Sequence, residues 1–579
     1  MAVENLITEH IDIWTSAVKT KSTSGRGNSK KLELYGIKKL RELILELAVR
    51  GKLVPQDPND EPASDLLVES LKEKDALIKK GIVKKSRSKK TIKEEHFYDY
   101  PASWVVSRLE DLINVVNGRA YKKAEMLSEG TPILRVGNLF TSNDWYYSDL
   151  QLEADKYIDN GDLIYAWSAS FGPFIWDGGK VIYHYHIWKM DIFRETSLDK
   201  EFSKLFLQAI SERIKASGNG IAMIHMTKER MEKVMHPLPP INEQKQIVNR
   251  VNELMTLCDQ LEQQTEASIE AHQVLVTTLL DTLTNSADAD ELMQNWARIS
   301  EHFDTLFTTE ESIDQLKQTI LQLAVMGKLV PQDPSDEPAA ELLKRIAEEK
   351  AQLVKEKKIK KEKALPPITE DEKPFELPSG WEWCRLGDLE LSSEAGWSPK
   401  CLDTPRSEDN WGVLKVSAVT WNQYNPMENK ELPNSLAPRE HLEVQDGDFL
   451  ISRANTADLV AKAVIVPNGS PTHLMMSDKI IRFRFSDKVS SYYINLFNNS
   501  QFARNYYSQV AGGTSSSMKN VSREQIKNLL ICLPPVATQT AIIDIVGCFF
   551  DICEQLKQKV QENQITQFQL TDAIVEQAV

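Results

Sequence analysis

An internal duplication constrains the fold of this chain more than any other feature. The segment GKLVPQDPNDEPA at Gly51–Ala63 returns as GKLVPQDPSDEPA at Gly327–Ala339, with a single difference. The helix before it is duplicated as well. Apolar residues at 3,4,3 spacing, typical of one buried helical face, recur 276 residues apart: Ile37, Leu40, Ile44 and Leu47, then Ile313, Leu316, Ile320 and Leu323. The 579 residues therefore predict two similar halves with several domains.

Each half contains a strand-rich region between matching landmarks. The entrances are Pro101–Trp104 and Pro378–Trp381, and the exits are the Leu-Pro-Pro sequences at Leu238 and Leu533, which lie 295 residues apart. Between them, β-branched and aromatic runs alternate with turn residues, which predicts strands. These strands are predicted at Ile133–Val136, Asp162–Trp167 and Val181–Phe193, and at Val413–Val416, Asp448–Ser452, Ala463–Val466 and Lys479–Phe485. We call residues 94–238 head 1 and residues 371–533 head 2.

The two heads diverge in sequence, although fragments such as Gly161–Leu163 and Gly447–Phe449 are shared. At the exits, Thr227 is a predicted helix N-cap, and Ser522 with Gln525 predicts a capping box. This combination indicates one scaffold that carries two different surfaces.

A long helix with a heptad seam is predicted after each exit. The first seam is Ile247, Val251, Leu254, Cys258, Leu261, Thr265, Ser268, His272, Leu275 and Leu279. The second has the same register: Ile542, Val546, Phe549, Cys553, Leu556, Val560, Asn563, Gln567, Leu570 and Ile574. Two such helices in one chain are expected to pair, most simply antiparallel. About 35 residues at 1.5 Å each give a spacer on the order of 50 Å, or about one to one and a half turns of B-DNA.

The predicted fold class is therefore α+β, with two β-rich domains separated by long paired antiparallel helices and related by an internal pseudo-twofold repeat. Residues 1–93 form an N-terminal helical region with the first GKLVPQDP copy, and 94–238 form head 1. Residues 239–370 form a central helical spacer with the second copy, 371–533 form head 2, and 534–579 form a C-terminal helix that pairs with the central one.

These motifs together resemble a known family. The entrance sequences, the exit LPPINEQ at Leu238–Gln244 and the two-copy layout are similar to the DNA specificity subunits of type I restriction-modification systems, in particular a subfamily with an extended N-terminal region. Gly161–Gly172 with His186–Lys189 resembles one variety of that family's target recognition domain, and Gly447–Thr456 with Ser477–Ile480 resembles another. One departure is Thr538, which stands where the first copy has Glu243.

The resemblance implies a cytoplasmic, non-catalytic protein of a bacterium or archaeon that recognises a bipartite DNA target in phage defence. It implies two methyltransferase subunits as partners, which form an adenine-N6 DNA methylation enzyme, and two restriction and translocase subunits in the full complex. The chain itself is expected to bind no cofactor and no metal, whereas S-adenosylmethionine, ATP and Mg²⁺ belong to the partners. No phosphate loop and no cluster with metal-ligand spacing is found in the sequence.

Charge leaves an alternative open. The net charge of −15 means that attraction to DNA must come from local patches. A coiled-coil adaptor that binds other proteins would share the repeat and the spacer, but would not bind DNA. An enzyme with an unrecognised active site is a second alternative, and it would show activity from the purified chain alone. The N-terminal residues do not resemble a signal peptide and no long uninterrupted apolar run is present, so no membrane association is expected.

Candidate DNA contacts are polar side chains in head loops, because base edges present both donors and acceptors. In head 1 they are Arg119, Lys122, Lys123, Arg135, Asn138, Ser168 and Ser170. In head 2 they are Lys400, Lys415, Arg453, Asn455, Thr456, Ser516 and Lys519. His184 and His186, two apart in a predicted strand, are expected on one side of it, where they pack or contact DNA rather than bind a metal.

Overall fold

The computed structural model describes residues 3–21, 31–83, 99–168, 172–216, 227–361, 363–407, 410–420, 423–515 and 518–579. These residues form two compact units. Unit 1 comprises residues 3–21, 31–267 and 564–579, and unit 2 comprises 268–563. Each unit contains one head, the beginning of one long helix and the end of the other.

The helices that lie or begin in unit 1 are α1 Val3–Glu9, α2 Ile11–Ser16, α3 Tyr35–Val49, α4 Ala63–Lys79, α5 Leu109–Leu112, α6 Val136–Phe140, α7 Lys200–Ala216, α8 Lys228–Glu232 and α9 Ile241–Asn285. Its strands are β1 Lys19–Lys21, β2 Lys31–Glu33, β3 Val105–Arg108, β4 Ile113–Asn117, β5 Thr131–Leu134, β6 Tyr146–Ser148, β7 Tyr157–Ile158, β8 Leu163–Ala166, β9 Gly172–Ile175, β10 Val181–Tyr183, β11 Ile187–Ile192 and β12 Met235–Leu238.

The helices that lie or begin in unit 2 are α10 Ala289–Glu301, α11 Phe303–Leu306, α12 Glu310–Val325, α13 Ala339–Lys355, α14 Leu386–Leu389, α15 Ser491–Asn498, α16 Gln501–Val510, α17 Arg523–Lys527 and α18 Val536–Ala578. Its strands are β13 Glu382–Arg385, β14 Glu390–Ala395, β15 Gly412–Leu414, β16 Asn429–Glu431, β17 Phe449–Ser452, β18 Ala454–Asn455, β19 Ala463–Ile465, β20 Leu474–Met475, β21 Ile480–Phe485, β22 Gly512–Ser515, β23 Met518–Asn520 and β24 Leu530–Leu533.

The two heads share most of their sheet arrangement, and head 2 has a further sheet of strand order β18-β23-β22. In head 1 the strand orders are β4-β11-β8-β9 and β6-β5-β10-β7, and in head 2 they are β14-β21-β17-β19 and β16-β15-β20. In both heads one pair is parallel, β5 with β10 and β15 with β20. The entrance strand also pairs with the exit strand, β3 with β12 and β13 with β24. This pairing explains why the landmarks at the two ends of a head recur together.

The shared Gly-Asp fragment also has a structural role. Asp162 precedes β8 and pairs with Lys189 on the neighbouring strand β11 at 2.8 Å. Asp448 precedes β17 and pairs with Arg482 on β21 at 2.7 Å. The two pairs occupy equivalent places in the sheets, because Lys189 lies opposite Ile164 and Arg482 lies opposite Leu450.

The repeated GKLVPQDP segment holds the entrance tryptophan. Gly51 has a positive φ of 69°, and a Cβ there would lie 2.8 Å from the Trp104 ring, so only glycine fits without strain. The Trp104 indole donates to a Glu243 carboxylate oxygen at 3.0 Å, and the Gln56 amide donates to the same oxygen at 3.1 Å. Glu243 lies in the first turn of α9, so the segment ties the head entrance to the long helix.

The second copy compensates for its missing acid. Thr538 replaces the glutamate, and the Trp381 indole donates instead to the Gln332 amide oxygen at 2.6 Å. Thr538 donates to Asp336 at 3.3 Å. The acid is therefore not required at this position, because the glutamine of the repeated segment can supply the acceptor.

Glu243→Gln should preserve stability at neutral pH because its amide oxygen still accepts from Trp104. Burial raises the pKa of the Glu243 carboxyl, and this effect exceeds the lowering of the pKa by the hydrogen bonds from Gln56 and Trp104. The folded state thus holds this proton more tightly than the unfolded state. The wild-type free energy of unfolding should therefore fall as pH rises from the usual carboxyl range through the raised pKa.

At about pH 8, Glu243→Gln should equal or exceed the wild type in free energy of unfolding. Glu243→Leu leaves both donors without an acceptor and should lose about 1–3 kcal/mol. Denaturant unfolding at about pH 5 and about pH 8 measures both effects. A glutamine variant less stable than the leucine variant at the higher pH would contradict this role.

Each long helix packs against a repeated short helix that the heptad analysis did not include. In unit 1, Arg41 of α3 pairs with Asp259 of α9 at 2.7 Å, and Tyr35 of α3 donates to Asp572 of α18 at 2.7 Å. In unit 2, α12 makes the equivalent contacts. Lys317 pairs with Glu554 of α18, and Gln315 donates to Thr277 of α9 at 3.3 Å.

The heptad register is wrong in the second half of each long helix. Leu275 and Leu570, predicted seam residues, are 50% and 43% exposed, whereas the neighbouring Val276 and Thr571 are buried. A straight α-helix has 3.6 residues per turn, so a buried face drifts away from a strict seven-residue repeat. The inward positions of α9 follow eleven-residue steps instead, from the buried Ile247 and Cys258 to the half-buried Ile269 and the buried Leu280.

The first five residues of each seam are buried or half-buried. The buried ones are Ile247, Val251, Leu254, Cys258, Ile542, Val546 and Cys553, and the half-buried ones are Leu261, Phe549 and Leu556. By length and composition alone α18 could cross a membrane, the one such helix within the described ranges. Two apolar residues of this helix, Ile542 and Val546, belong to the hydrophobic core of unit 2.

The predicted α+β fold class, with two β-rich domains and long spacer helices, is confirmed. Two strand predictions are corrected because a turn interrupts the apolar run. Val181–Phe193 is split into β10 and β11 by a turn at residues 184–186, and Val413–Val416 ends at Leu414, before a 3₁₀ turn at Val416–Val419. Likewise, Ile133–Val136 ends in the first residue of α6.

Candidate nucleic-acid interface

A turn joins the two sheets of each head at equivalent places, and we call it the crossover turn. In head 1 it is residues 184–186, between β10 and β11, and in head 2 it is residues 477–479, between β20 and β21. The turns close alike: Ile187 N donates to His184 O at 2.9 Å, and Ile480 N donates to Ser477 O at 3.0 Å. Both turns therefore present three successive residues where the sheets meet.

A glycine brings a second strand end against each turn. Gly118 N donates to Ile187 O and Gly396 N donates to Ile480 O, both at 3.2 Å. A Cβ on Gly118 would lie 2.3 Å from His184 O, and one on Gly396 would lie 2.1 Å from Met476 O. The backbone approach is thus too close for any side chain at either glycine.

Aromatic rings surround the turn of head 1. The Trp167 ring stacks on buried Trp188 at 5.6 Å, and its indole N–H donates to Tyr185 O at 2.9 Å. His184 and His186, whose rings are 4.8 Å apart, lie on either side of Tyr185, which is 41% exposed. The two histidines are close together as predicted, but they lie in a turn rather than in one strand.

Electrostatics keep one of these imidazoles neutral. Burial, followed by the neighbouring His186 and Arg135, lowers the pKa of His184 to about 4. Near neutral pH this ring therefore offers one donor and one acceptor rather than a positive charge. Within the described ranges, no group of three or more ligating side chains could hold a metal ion.

The structure places the candidates of head 1 in several environments. Arg119 follows Gly118 and pairs with Glu125 at 2.7 Å. Arg135 follows β5, with its guanidinium 4.3 Å from the Tyr146 ring and donating to Asp144 O at 3.0 Å.

The side chains of the other head 1 candidates differ in whether they are available to bind DNA. The Asn138 amide accepts from Arg135 N and donates to Asp144 O, so it caps α6 instead of being available for DNA. Lys122 and Lys123 are exposed, Ser168 is half-buried beside Trp167, and Ser170 lies outside the described residues.

In head 2 the structure brings four candidates together. Arg453 lies between β17 and β18, and Asn455 on β18 is directly opposite Lys519 on β23. The Asn455 amide donates to the Thr420 hydroxyl at 3.2 Å and accepts from Thr456 N at 2.8 Å. Lys519 donates to Gly513 O at 3.0 Å. This cluster holds donors and acceptors on one small sheet.

The remaining candidates of head 2 lie apart from it. Lys400 is exposed, and Ser516 lies outside the described residues. Lys415 follows β15 and pairs with Glu428 at 3.5 Å. Its place is equivalent to that of Arg135, since each cation immediately follows the strand that pairs in parallel with the strand before the crossover turn.

Residue-by-residue reasoning missed the side chains at the crossover turns. These are Trp167 and Tyr185 in head 1, and Trp397, Asp478 and Lys479 in head 2. The aromatic and acidic members differ from the cations, amides and hydroxyls by which DNA contacts are predicted from sequence. The signal was available in the fragments His186–Lys189 and Ser477–Ile480, which stand beside corresponding strands.

Comparisons with known proteins find relatives of this chain in one family. Residues 101–271 match the type I restriction modification DNA specificity domain. Over 100% of both chains, the protein is 45% identical to the type I restriction enzyme EcoEI specificity subunit of Escherichia coli and 38% identical to the EcoAI specificity subunit of the same organism. A solved chain from a study of type I R-M complex assembly has a TM-score of 0.45 and 16% identity, over 83% of this chain and 98% of that one.

The full-length similarity and the two matching heads lead to one conclusion. The protein belongs to the specificity subunits of type I restriction enzymes, and its function is recognition of DNA sequence.

Proposed function

We propose that this chain reads a bipartite DNA target, with head 1 on one half and head 2 on the other, separated by an unread gap. The observation that carries this proposal is the pair of heads with one strand arrangement and different side chains at the same turn. A shared scaffold places each head on DNA in the same manner, and different side chains select different bases.

The partners follow from the family. Two methyltransferase subunits join the chain to make an adenine-N6 DNA methyltransferase, and two restriction and translocase subunits complete the ATP-dependent endonuclease. S-adenosylmethionine, ATP and Mg²⁺ bind to these partners, and the complex acts in the cytoplasm of a bacterium or archaeon. The candidate DNA contacts remain proposals, of which Asn138 is the weakest because its amide caps a helix. The two seams pair with each other, and the length of this helix pair sets the length of the unread gap between the half-sites.

Head exchange tests the assignment of half-sites. Residues 98–237 are replaced by the corresponding head of another specificity subunit, and the chimera is co-expressed with the methyltransferase that serves this chain. Modified adenines are then mapped by sequencing. The half-site read by head 1 should change while the other half-site and the gap stay the same. A change in both half-sites, or in neither, would refute the assignment of one half-site to each head.

If the chain were instead a protein-binding adaptor, it would show no salt-dependent DNA binding.

A further inference from the structure

The crossover turns of the two heads share most of their backbone hydrogen bonds, although Tyr185 N donates to Arg119 O in head 1 and Asp478 N donates to the Ser398 hydroxyl in head 2. Besides the glycine and turn bonds, Arg119 N donates to Tyr183 O at 3.1 Å where Trp397 N donates to Met476 O at 2.9 Å. These bonds fix the residue after each glycine against the end of the strand that leads into the turn. They therefore make Arg119 and Trp397 equivalent positions.

A further bond fixes the end of the central strand against each turn. Trp167 N donates to His186 O at 3.1 Å, and Arg453 N donates to Lys479 O at 2.8 Å. Trp167 and Arg453 are therefore equivalent as well. Three chain segments therefore meet through corresponding backbone hydrogen bonds in the two heads, which is not evident from the sequence because the spacings between segments differ.

The side chains at these equivalent positions are exchanged. Head 1 has arginine after the glycine and tryptophan after the central strand, whereas head 2 has tryptophan after the glycine and arginine after the central strand. The turns differ too, with His184–His186 in one head and Ser477–Lys479 in the other. The backbone is thus constant and the chemistry variable, which is what two readers of different sequences need.

The variable chemistry fits base edges better than phosphates. Asp478 and Lys479 of head 2 are each 49% exposed. A carboxylate repels phosphate, but it accepts from the amino group of cytosine in the major groove, and arginine donates two bonds to guanine. In head 1 the exposed Tyr185 and the neutral His184 imidazole add no positive charge. By contrast, Arg135 and Lys415 keep a cation at one equivalent place in both heads, as a sequence-independent phosphate contact would.

Building on the proposed function, we propose that the crossover-turn site is the base-reading site of each head. It comprises Arg119, Trp167 and residues 184–186 in head 1, and Trp397, Arg453 and residues 477–479 in head 2. Its ligand is the edge of base pairs in double-stranded DNA. Each site determines the specificity of one half of the target.

Two variants test this site in complexes of the full chain with its methyltransferase. Tyr185→Ala removes the exposed ring of the head 1 turn. Arg453→Lys keeps the charge of head 2 but loses the planar fork that reads guanine. Each variant should relax or change the preference at one half-site by about 10- to 100-fold and leave the other half-site intact. Tyr492→Ala is the matched control, because Tyr492 is 57% exposed on α15, a helix that contributes no residue to either site.

The readouts are modified adenines mapped by sequencing and the ratio of dissociation constants for duplexes altered in one half-site. The ratio of dissociation constants also measures the half-site preference of a variant that no longer methylates DNA. The unaffected half-site reports correct folding within the same molecule. Unchanged preferences in both variants, with a split target in the wild type, would overturn the base-reading site and leave the proposed function standing. A wild type without a split target would instead refute the proposed function.

Discussion

Arg482→Met should lower the free energy of unfolding of unit 2 by about 3–5 kcal/mol, the loss typical of breaking a buried ion pair from one side. The Arg482 side chain is 1% exposed and pairs with Glu394 at 2.5 Å and Asp448 at 2.7 Å. It also donates to the carbonyl oxygens of His441 and Glu443. Methionine fills much of the volume but leaves the Asp448 carboxylate nearly buried without its cation.

The control is Arg484→Met, two residues along the same strand and exposed. It removes the same charge from the same sheet and should change stability by no more than about 0.5 kcal/mol. Denaturant unfolding gives the overall loss, and hydrogen exchange at β17 and β21 locates it in head 2. Equal effects of the two substitutions would show that the buried network does not hold these strands together.

Gly396→Ala should destabilise head 2 by about 1–3 kcal/mol, as overpacking does, and should displace its crossover turn. The new Cβ would lie 2.1 Å from Met476 O and 2.5 Å from Ser477 O, and both are backbone atoms that cannot rotate away. The half-site read by head 2 should therefore lose selectivity in the methylation map, while the half-site of head 1 is retained. Thermal unfolding of the same preparation measures the loss of stability.

Gly512→Ala is the matched control, since a Cβ at Gly512 meets nothing within 4 Å. This glycine belongs to the same head and should tolerate alanine with stability and selectivity unchanged. If Gly396→Ala behaved like the control, the close approach of the strand end to the turn would not be what positions the reading residues.

Periodic and duplicated features could be predicted from sequence because each rests on local chemistry. The 3,4,3 spacing places α3 and α12 correctly, and Ser522 accepts from Gln525 N in the predicted capping box. Thr227 likewise caps α8. The fold class followed from the repeat. The heptad register failed after its midpoint because a straight helix drifts from a seven-residue period.

The site was harder to predict because it is assembled from distant segments. No spacing relates Gly118, Trp167 and Tyr185, which meet only after two sheets form. Asn138 is a polar loop residue like the other candidates, but its amide is used by the backbone of its own turn. Exposed polarity alone cannot separate a capping residue from a reading residue. Comparing hydrogen bonds between the two heads makes that separation, since capping serves one turn whereas the crossover turn recurs.

Methylation mapping of the wild-type chain tests the central claim most directly. The full chain is co-expressed with its methyltransferase in a host that lacks other adenine methylation, and every modified adenine is located by sequencing. Two different short sequences at a fixed spacing, with unrestricted bases between them, are the expected result. A continuous motif, two identical half-sites, or no modification above background would contradict two heads that read different halves of one target.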